Sequence, residues 1–268
     1  MIPKIINYCW FGGKTIPPKF MRNIESWKKY LPDYQIVRWD ESNFDVHCNK
    51  FVEGAFRAKK YAFVSDYARF AILNRTGGIY FDTDVEVIRP LDDILAAGPF
   101  MGEEGKGLVA TGLGMAMEPG MLFLREMEDL YNRMEFQITD ENEQTVTVVG
   151  HVSRLLKKHG FDPTSGAIQN VCGINIYPKD YFCPQAYKTG IITITENTRT
   201  IHHYAESWLS PVERAIHNCI IYLRRKHGET GLVLFLEWIF HYCRRFEEKT
   251  YRSMLKTIVK KVFRVQIH

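Results

Sequence analysis

Residues 77–84 read Gly-Gly-Ile-Tyr-Phe-Asp-Thr-Asp, and this stretch is the most informative one for the fold. It predicts a strand over Ile79–Asp84 that ends in two carboxylates, Asp82 and Asp84. Because strand side chains alternate between faces, both acids are expected to point the same way. Hard oxygen ligands of this kind suit Mg²⁺ or Mn²⁺, especially when a diphosphate supplies further oxygens. A bare pair of acids also occurs by chance where a strand enters an acidic surface turn.

Strand and helix patterns alternate before this stretch. The predicted elements are a strand at 2–9, a helix at 20–30, a strand at 34–39, and helices at 52–58 and 62–75. Gly77-Gly78 follows the last helix, as is typical of a helix end. This order predicts βαβ units, so we expect an α/β fold with a mainly parallel sheet flanked by helices.

The second half of the chain continues this pattern and then becomes helical. Strands are predicted at 108–117, 174–177, 190–195 and 200–203, and helices at 120–134, 145–158, 212–227, 231–246 and 251–263. We therefore divide the chain into a domain of residues 1–210 and a basic helical C-terminal subdomain of residues 211–268.

The composition indicates an ordinary globular protein, with 46% hydrophobic and 25% charged residues among 268. Six cysteines without a C-x-x-C pair argue against a zinc site or a disulfide framework and fit a reducing compartment. The N-terminus reads as a strand rather than a signal peptide, and no run of 18 apolar residues is present. We expect a cytoplasmic protein, either free or at the inner face of the membrane.

The net charge of +4 is unevenly distributed. From Arg214 to the end, twelve Lys and Arg face four acids, which leaves −4 for residues 1–213. The acidic body argues against a nucleic-acid partner. Two interpretations of the basic C-terminal helices stay open. They could make peripheral contact with an anionic membrane, or they could pack as an ordinary subdomain with a solvated basic face.

The helix at 62–75 carries a charged pair on an otherwise apolar sequence. Asp66 and Arg69 are three residues apart and share a helical face. They could form a surface ion pair worth a few tenths of a kcal/mol. Since buried charges are costly unless they are paired or serve a ligand, the pair could instead bind hydroxyls and phosphate oxygens.

The motifs together resemble a known family. The pattern S-D-x-x-R…G-G-x-Y-x-D-x-D runs from Ser65 to Asp84, and Ile2–Gly13 matches an I-P-K-x-I-H-x-x-W start, with Asn7 where His is common. These segments are similar to the D-x-D glycosyltransferases, which include fungal initiating α-1,6-mannosyltransferases and bacterial capsule and lipopolysaccharide enzymes. They also resemble the catalytic core of the large clostridial glucosylating toxins. The resemblance covers residues 1–110 and a patch at 201–208, and it implies a GT-A (Rossmann-like) nucleotide-sugar transferase.

The resemblance also implies roles for individual residues. Asp84 is expected to bind Mn²⁺ or Mg²⁺ directly, Asp82 to contact ribose or sugar, and Arg69 to bind the donor sugar or diphosphate. The remaining donor-binding candidates are Trp10 as the stacking platform for the base, Asp66 for hydroxyls, and Tyr80 near the diphosphate. Structural roles for Trp10 and Tyr80 stay open.

A second patch, Ile201–Trp208, is expected to complete the metal site. His203 is the favoured ligand, with His202 on the other face, because a neutral imidazole can serve Mn²⁺. Glu206 and Ser207 are further metal-ligand candidates, and Trp208 could reach the leaving diphosphate.

Thr111-Gly112 stands where a wall of the donor-sugar or acceptor site is expected. A mobile glycine loop explains these two residues equally well.

The implied reaction is a retaining transfer of a hexose from a nucleotide-diphosphate sugar to a glycan or lipid-linked glycan acceptor. UDP-hexose is the favoured donor and GDP-mannose the second, and surface polysaccharide synthesis, such as that of capsule or lipopolysaccharide, is the expected setting. One alternative is a metal-dependent nucleotide-sugar hydrolase, although the further carboxylates of a two-metal site are missing from the pattern. Another is a non-catalytic module that binds nucleotides or glycans.

Overall fold

The computed structural model of the protein describes residues 1–136, 147–205, 209 and 211–243. Among these, residues 1–136, 147–185 and 192–205 form a first compact unit, and residues 186–191, 209 and 211–243 belong to a second. The predicted domain boundary between residues 210 and 211 stays a prediction. The helix predicted over residues 251–263 lies outside the described residues.

Short strands and helices alternate along the described chain. The strands are β1 (Ile5–Cys9), β2 (Gln35–Trp39), β3 (Gly78–Tyr80), β4 (Val85–Val87), β5 (Phe100–Gly105), β6 (Leu108–Ala110), β7 (Met115–Met117), β8 (Gln169–Val171), β9 (Ile174–Tyr177) and β10 (Thr200–His202). The helices are α1 (Pro18–Tyr30), α2 (Lys50–Arg57), α3 (Tyr61–Thr76), α4 (Asp92–Ala96), α5 (Leu122–Asn132), α6 (Val148–Lys158), α7 (Lys179–Phe182), α8 (Pro211–His227) and α9 (Gly231–Cys243).

The central sheet of the first unit is mixed, with most strands running in one direction. Its order is β2-β1-β3-β7-β5-β9-β8, and β6 pairs with β5. β1 is parallel to β2 and β3, and β5 is parallel to β9, whereas β6, β7 and β8 run opposite to their neighbours. Five of the eight strands in the described part of this sheet therefore point the same way, which confirms the predicted α/β class.

Helices cover both faces of this sheet. Cys9 and Tyr80 enter one core, which the apolar faces of α2, α3, α5 and α6 complete. Ile6 and Ile79 enter the opposite core, where they join the fully buried Trp27 of α1. Neighbouring residues of β1 and β3 thus enter different cores, as the alternation of strand side chains requires.

The junction between α3 and β3 depends on a close backbone approach. The N–H of Gly77 donates to the carbonyl of Leu73 and ends α3. A Cβ at Gly78 would lie 2.5 Å from the carbonyl oxygen of Ile5, and φ at Gly78 is +95°. Glycine therefore lets β3 lie directly beside β1. It also brings residues 82–85, which we call the acidic turn, to the end of both strands.

A second, two-stranded sheet joins distant parts of the first unit. β4 and β10 pair antiparallel, with Val85 opposite His202 and Val87 opposite Thr200. This pairing places the start of the 201–208 patch beside the acidic turn.

The second unit contains α8 and α9, which form a helical hairpin. Its core consists mainly of Ile216, Ile220 and Leu223 of α8 and Val233, Leu236 and Phe240 of α9. Arg224 is buried in this unit and donates to Glu237 at 2.6 Å, so the charge has a partner. The two helices agree with the predicted ones over the described residues.

Strand prediction is wrong in three places and incomplete in two. The strand predicted over residues 108–117 is interrupted by a 3₁₀ turn at Thr111–Leu113, which separates β6 from β7. β3 ends at Tyr80, and residues 82–85 form a turn in which the N–H of Val85 donates to the carbonyl of Asp82 at 3.1 Å. Residues 190–195 contribute only a bridge between Ile192 and Gln185. The patterns also do not predict β5 or β8, because β5 interrupts its apolar residues with two glycines and two glutamates and β8 has three residues.

Candidate active site

Asp82 and Asp84 lie in a turn at the carboxyl end of β3, and they contact different groups. Asp82 Oδ1 lies 3.3 Å from Arg69 Nη2, whereas Asp84 Oδ1 lies 3.3 Å from His202 Nε2. The expectation that both carboxylates share one face of a strand is therefore wrong. The turn rotates the chain between the two residues and gives each acid its own surroundings.

Arg69 occupies the centre of the first group of contacts. Its side chain is 4% exposed, and each of its side-chain nitrogens has a partner. Nε donates to the carbonyl of Ser65 at 3.0 Å, Nη1 to Thr111 Oγ1 at 3.1 Å, and Nη2 to Asp66 Oδ1 at 2.9 Å. Asp66, which is 17% exposed, and the buried Arg69 thus form a mostly buried pair rather than a surface pair. Arg69 holds Asp66, Asp82 and Thr111 in one cluster.

Tyr80 is buried beneath this cluster. Its hydroxyl donates to Asp82 Oδ1 at 3.0 Å, and the guanidinium carbon of Arg69 lies 4.9 Å from its ring centroid. Gly112 packs against the same carboxylate, since a Cβ there would lie 2.0 Å from Asp82 Oδ2. In this structure Tyr80 and Thr111-Gly112 fix the position of Asp82.

Burial and charge set the protonation of the cluster. Burial is the main cause that raises the pKa of Asp66 to about 6, with Arg69 opposing it. Burial lowers the pKa of Arg69, but the carboxylates of Asp82 and Asp66 outweigh that effect and raise it. The guanidinium therefore stays charged, and Asp66 changes its charge in mildly acidic solution.

Asp84 forms the second group of contacts, with His202 of β10 and with the segment that follows β10. Its side chain is 14% exposed, and Oδ2 accepts from the N–H of Ala205 at 2.8 Å. Burial raises the pKa of Asp84, but the neighbouring His202 and the N–H of Ala205 outweigh it and lower the pKa to about 2. Burial likewise lowers the pKa of His202, and Asp84 reverses this and raises it to about 10. The two side chains form an ion pair at neutral pH.

In the structure the imidazole of His202, rather than the expected imidazole of His203, lies against the carboxylate of Asp84. The ring of His203 instead lies against Glu86, with 2.9 Å between Nε2 and Oε2. The alternation of the two histidines is predicted correctly, but the choice of face is not, because the pairing of β10 with β4 decides it. Three further candidates of this patch, Glu206, Ser207 and Trp208, lie outside the described residues.

Comparison with known proteins identifies the segment that holds these acids. Residues 17–101 match the family model for the "Glycosyltransferase sugar-binding region containing DXD motif". This segment is therefore similar to the sugar-binding region of DXD glycosyltransferases. The DXD region, as we call residues 17–101, includes Asp66, Arg69, Tyr80, Asp82 and Asp84.

Curated proteins similar to part of this chain include viral and fungal proteins. An uncharacterized glycosyltransferase of Acanthamoeba polyphaga mimivirus is 33% identical over 109 residues, which cover 37% of this chain and 42% of that protein. Inositol phosphoceramide mannosyltransferase 3 of Schizosaccharomyces pombe is 35% identical over 98 residues, 35% of this chain and 27% of the relative. Mannosyl phosphorylinositol ceramide synthase CSH1 of Saccharomyces cerevisiae is 26% identical over 135 residues, 48% and 35% of the two chains. The chain thus spans less than half the length of these relatives.

Two solved structures show limited similarity to this chain. The PaToxG glycosyltransferase is 20% identical, with a TM-score of 0.46 over 59% of this chain and 68% of that one. A glycosyltransferase involved in the glycosylation of the major capsid of PBCV-1 is 12% identical, with a TM-score of 0.42 over 82% of this chain and all of that one.

Within the DXD region, α1 supports the acidic turn in a way that the sequence reading misses. Asn23 Nδ2 donates to the carbonyl of Thr83 at 2.8 Å, and Trp27 Nε1 donates to that of Val85, also at 2.8 Å. The N–H of Val87 in turn donates to Ser26 Oγ at 2.9 Å. Side chains on one helical face therefore satisfy both the turn at Thr83 and the edge of β4. Their spacing of three and four residues is the signal that could have revealed them.

β1 and the residue after it lie before the DXD region. Asn7 of β1 has a structural role, and Trp10 is a candidate for stacking on a ligand. Asn7 is fully buried, donates to the carbonyl of Gly77 at 3.2 Å and accepts from Trp39 Nε1 at 2.9 Å. Asn7 thereby links β1 to β2 and to Gly77, the residue before β3. Trp10 follows β1, is partly exposed, and donates from Nε1 to the carbonyl of Lys14 at 2.7 Å.

The side chains of Asp84 and His202 carry atoms that can bind a hard divalent cation. Asp84 is ionised at neutral pH, and an imidazole beside a carboxylate suits Mn²⁺ once the imidazole has lost its proton. Within the described ranges, no three side chains of His, Cys, Asp and Glu come close enough to hold an ion. Asp84 and His202 would therefore supply part of a coordination shell, and the donor diphosphate would supply more of it.

Proposed function

We propose that this chain is a metal-dependent retaining glycosyltransferase that moves a hexose from a nucleotide-diphosphate sugar to a glycan or lipid-linked glycan. The observation that carries the proposal is the cluster around Arg69, which lies in the DXD region and holds Asp66 of α3 together with Asp82, at the carboxyl end of β3. Ligands of open α/β sheets bind at this edge.

The chain's own residues supply the binding and orientation that such a transfer needs. Asp66 and Asp82 carry carboxylate oxygens that accept hydrogen bonds from donor hydroxyls, and Arg69 keeps both acids in place. Trp10 offers its indole face to the base, and base stacking on an aromatic ring contributes about 1–3 kcal/mol. Retention without a covalent intermediate needs no enzyme nucleophile, because the leaving phosphate can accept the proton of the acceptor hydroxyl.

We assign the metal to Asp84, with His202 in the place first expected for His203. A divalent cation bound there would stabilise the charge that develops on the leaving diphosphate. Glu206 and Ser207 remain candidate ligands, and Trp208 remains a candidate for contact with the diphosphate, on the strength of the sequence pattern.

The names of the relatives bear on the donor and the acceptor. Fungal relatives are named as mannosyl-transferring proteins that act on inositol phosphoceramide. These names favour a mannose nucleotide, so GDP-mannose moves ahead of UDP-hexose as the proposed donor. They also favour a lipid-linked acceptor, and we keep surface polysaccharide synthesis at the inner face of a membrane as the setting. No helix in the described part of the chain is both long and apolar enough to cross a bilayer.

Donor turnover tests the proposal. The full chain is incubated with GDP-mannose, UDP-glucose and UDP-galactose, with Mn²⁺ or with EDTA, and nucleotide release is measured with and without a glycan acceptor mixture. We expect one nucleotide class to turn over with the metal, and Asp84→Asn to lower that rate at least about 100-fold. The matched control is Asp33→Asn, an exposed acid paired with Lys4.

The outcomes separate the competing functions. Full turnover by folded Asp84→Asn would sink the metal assignment. Release of nucleotide that no acceptor accelerates would favour the hydrolase, and binding of a donor without release would favour the non-catalytic module.

A further inference from the structure

An open groove lies between helix α1 and strand β4, apart from the cluster around Arg69. Its volume is about 320 Å³, and its lining includes Arg22, Glu25, Lys29 and Tyr30 of α1 and Glu86 of β4. Sites for small ligands usually measure about 300–1,000 Å³, so the groove has room for one small ligand. None of the described residues that line it has been assigned to the donor or the metal.

The groove adjoins the acidic turn. Glu86 follows Asp84 by two residues, so the chain between them spans at most about 7 Å. Val85 and Val87 of β4 are buried, and the side chain of Glu86 therefore points to the opposite face of the strand. Oε2 of Glu86 lies 2.9 Å from Nε2 of His203, whose backbone N–H donates to the carbonyl of Asp84 at 3.0 Å. A ligand in the groove would lie beside the acids proposed to bind the donor and the metal.

The lining of the groove combines charged donors with charged acceptors. Arg22 and Lys29 only donate hydrogen bonds, whereas ionised Glu25 and Glu86 only accept them. In the part of the chain that the structure describes, the side chain of Arg22 has no ion-pair partner. A phosphate group would accept from the two bases but would be repelled by the two carboxylates. A ligand with several hydroxyls can accept from the bases and donate to the acids, so it satisfies both kinds of side chain.

Tyr30 adds an aromatic surface to this polar lining. Its side chain is partly exposed, and Nζ of Lys29 lies 4.9 Å from its ring centroid. A tyrosine offers an apolar ring together with a hydroxyl that donates and accepts hydrogen bonds. Since a sugar ring carries C–H groups between its hydroxyls, the combination of one aromatic ring with charged donors and acceptors suits a carbohydrate.

We propose that the groove between α1 and β4 binds one sugar residue of the glycan acceptor. Arg22 donates to a hydroxyl of this sugar, Glu86 accepts from another, and Tyr30 contacts its ring. The groove thereby holds the acceptor beside the acidic turn. The binding of a sugar rests on the groove alone, whereas its role as the acceptor rests on the proposed transferase function.

Binding of simple glycosides tests the groove without a donor or a metal. The full chain is mixed with the methyl α-glycoside of mannose, glucose or galactose, and saturation transfer to the sugar protons is measured by NMR. We expect at least one glycoside to bind. Arg22→Ala and Glu86→Gln should each weaken its binding about tenfold, because each change removes a hydrogen bond to a charged group. Lys19→Ala, at an exposed position of α1 outside the groove, is the matched control and should bind as the wild type does.

Two results would overturn the sugar site. One is the absence of saturation transfer to all three glycosides, or transfer that Arg22→Ala and Glu86→Gln both retain. The other is binding of inorganic phosphate that Arg22→Ala abolishes in a chain that binds no glycoside, because the groove would then be an anion site. Circular dichroism confirms that each variant is folded.

The role of the bound sugar as the acceptor has its own measurement. With the donor that turns over, Arg22→Ala should raise the KM of the bound glycoside about tenfold and leave the donor KM and the acceptor-free nucleotide release unchanged. A rise in the donor KM instead would assign the groove to the donor and contradict the acceptor role. A chain that binds a glycoside through Arg22 but releases nucleotide from no donor would keep the sugar site and sink the proposed transferase function.

Discussion

Arg69 is predicted from the sequence to bind a ligand, and in the structure its side chain contacts other residues of the protein. The sequence predicts contact with the donor sugar or diphosphate. In the structure the guanidinium is buried and contacts Asp66, Asp82, Thr111 and the carbonyl of Ser65. Its charge compensates two carboxylates that would otherwise repel each other. We therefore expect Arg69 to act on the donor through the acids that it holds.

Asp66 gives this cluster a pH dependence that can be measured. Its pKa is about 6 in the folded chain and 3.8 as the ordinary value, so the folded state holds the proton more tightly. The stability that this proton contributes is complete below about pH 4 and is lost as the pH rises through about 6. Asp66→Asn cannot titrate and should lose this component of the pH profile.

Urea unfolding at several pH values between 4 and 7 checks the prediction. The free energy of unfolding of the wild type, taken relative to Asp66→Asn at each pH, should fall between pH 4 and 6 and then level off. Parallel profiles for the two proteins would show that Asp66 has an ordinary pKa and would contradict the claim that burial outweighs Arg69 in setting it.

At the scale of elements, α1 and β4 together hold the acidic turn. β4 pairs with β10 on one edge, Ser26 and Trp27 of α1 satisfy its other edge, and Asn23 satisfies the carbonyl of Thr83 just before it. The acidic turn is therefore supported on one side by helix α1 and on the other side by strand β10, which comes much later in the chain. The sequence predicts a helix at residues 20–30, which corresponds to α1. The polar contacts of α1 depend on the neighbouring edge of β4, which a helical pattern in the sequence does not reveal.

Removal of the Asn23 side chain should disturb the turn more than the fold. Asn23→Ala loses the donor to the carbonyl of Thr83, and a lost hydrogen bond to a partly buried group costs about 1 kcal/mol. We expect the Mn²⁺ concentration for half-maximal turnover to rise several-fold, because Asp84 directly follows Thr83. Met21→Ala, at a 40% exposed position of the same helix, is the control and should leave this concentration unchanged.

A purely structural role for Asn23 would give a different pattern. Asn23→Ala would then lower the melting temperature and leave both the metal requirement and the donor KM at their wild-type values.

At the scale of the whole molecule, short-range patterns are predicted better than pairings. The α/β class and the bounds of β9 agree with the sequence, since a compact apolar run marks a strand. β3 is predicted too long, because the turn at residues 82–85 is fixed by contacts with α1 and β10 rather than by its own residues. Similarly, the contact of His202 with Asp84 depends on the register of β10 against β4, which sequence periodicity does not contain.

The central claim is that the Asp84 site binds a nucleotide-diphosphate sugar through a divalent metal. The most direct measurement is the melting temperature of the full chain with GDP-mannose, UDP-glucose and UDP-galactose, each with and without Mn²⁺. A ligand at 100 times its Kd adds about 2.7 kcal/mol to stability, which is a shift of several degrees. We predict such a shift for one nucleotide class, present with Mn²⁺ and absent in Asp84→Asn. An equal shift without the metal, or an unchanged shift in Asp84→Asn, would contradict the account.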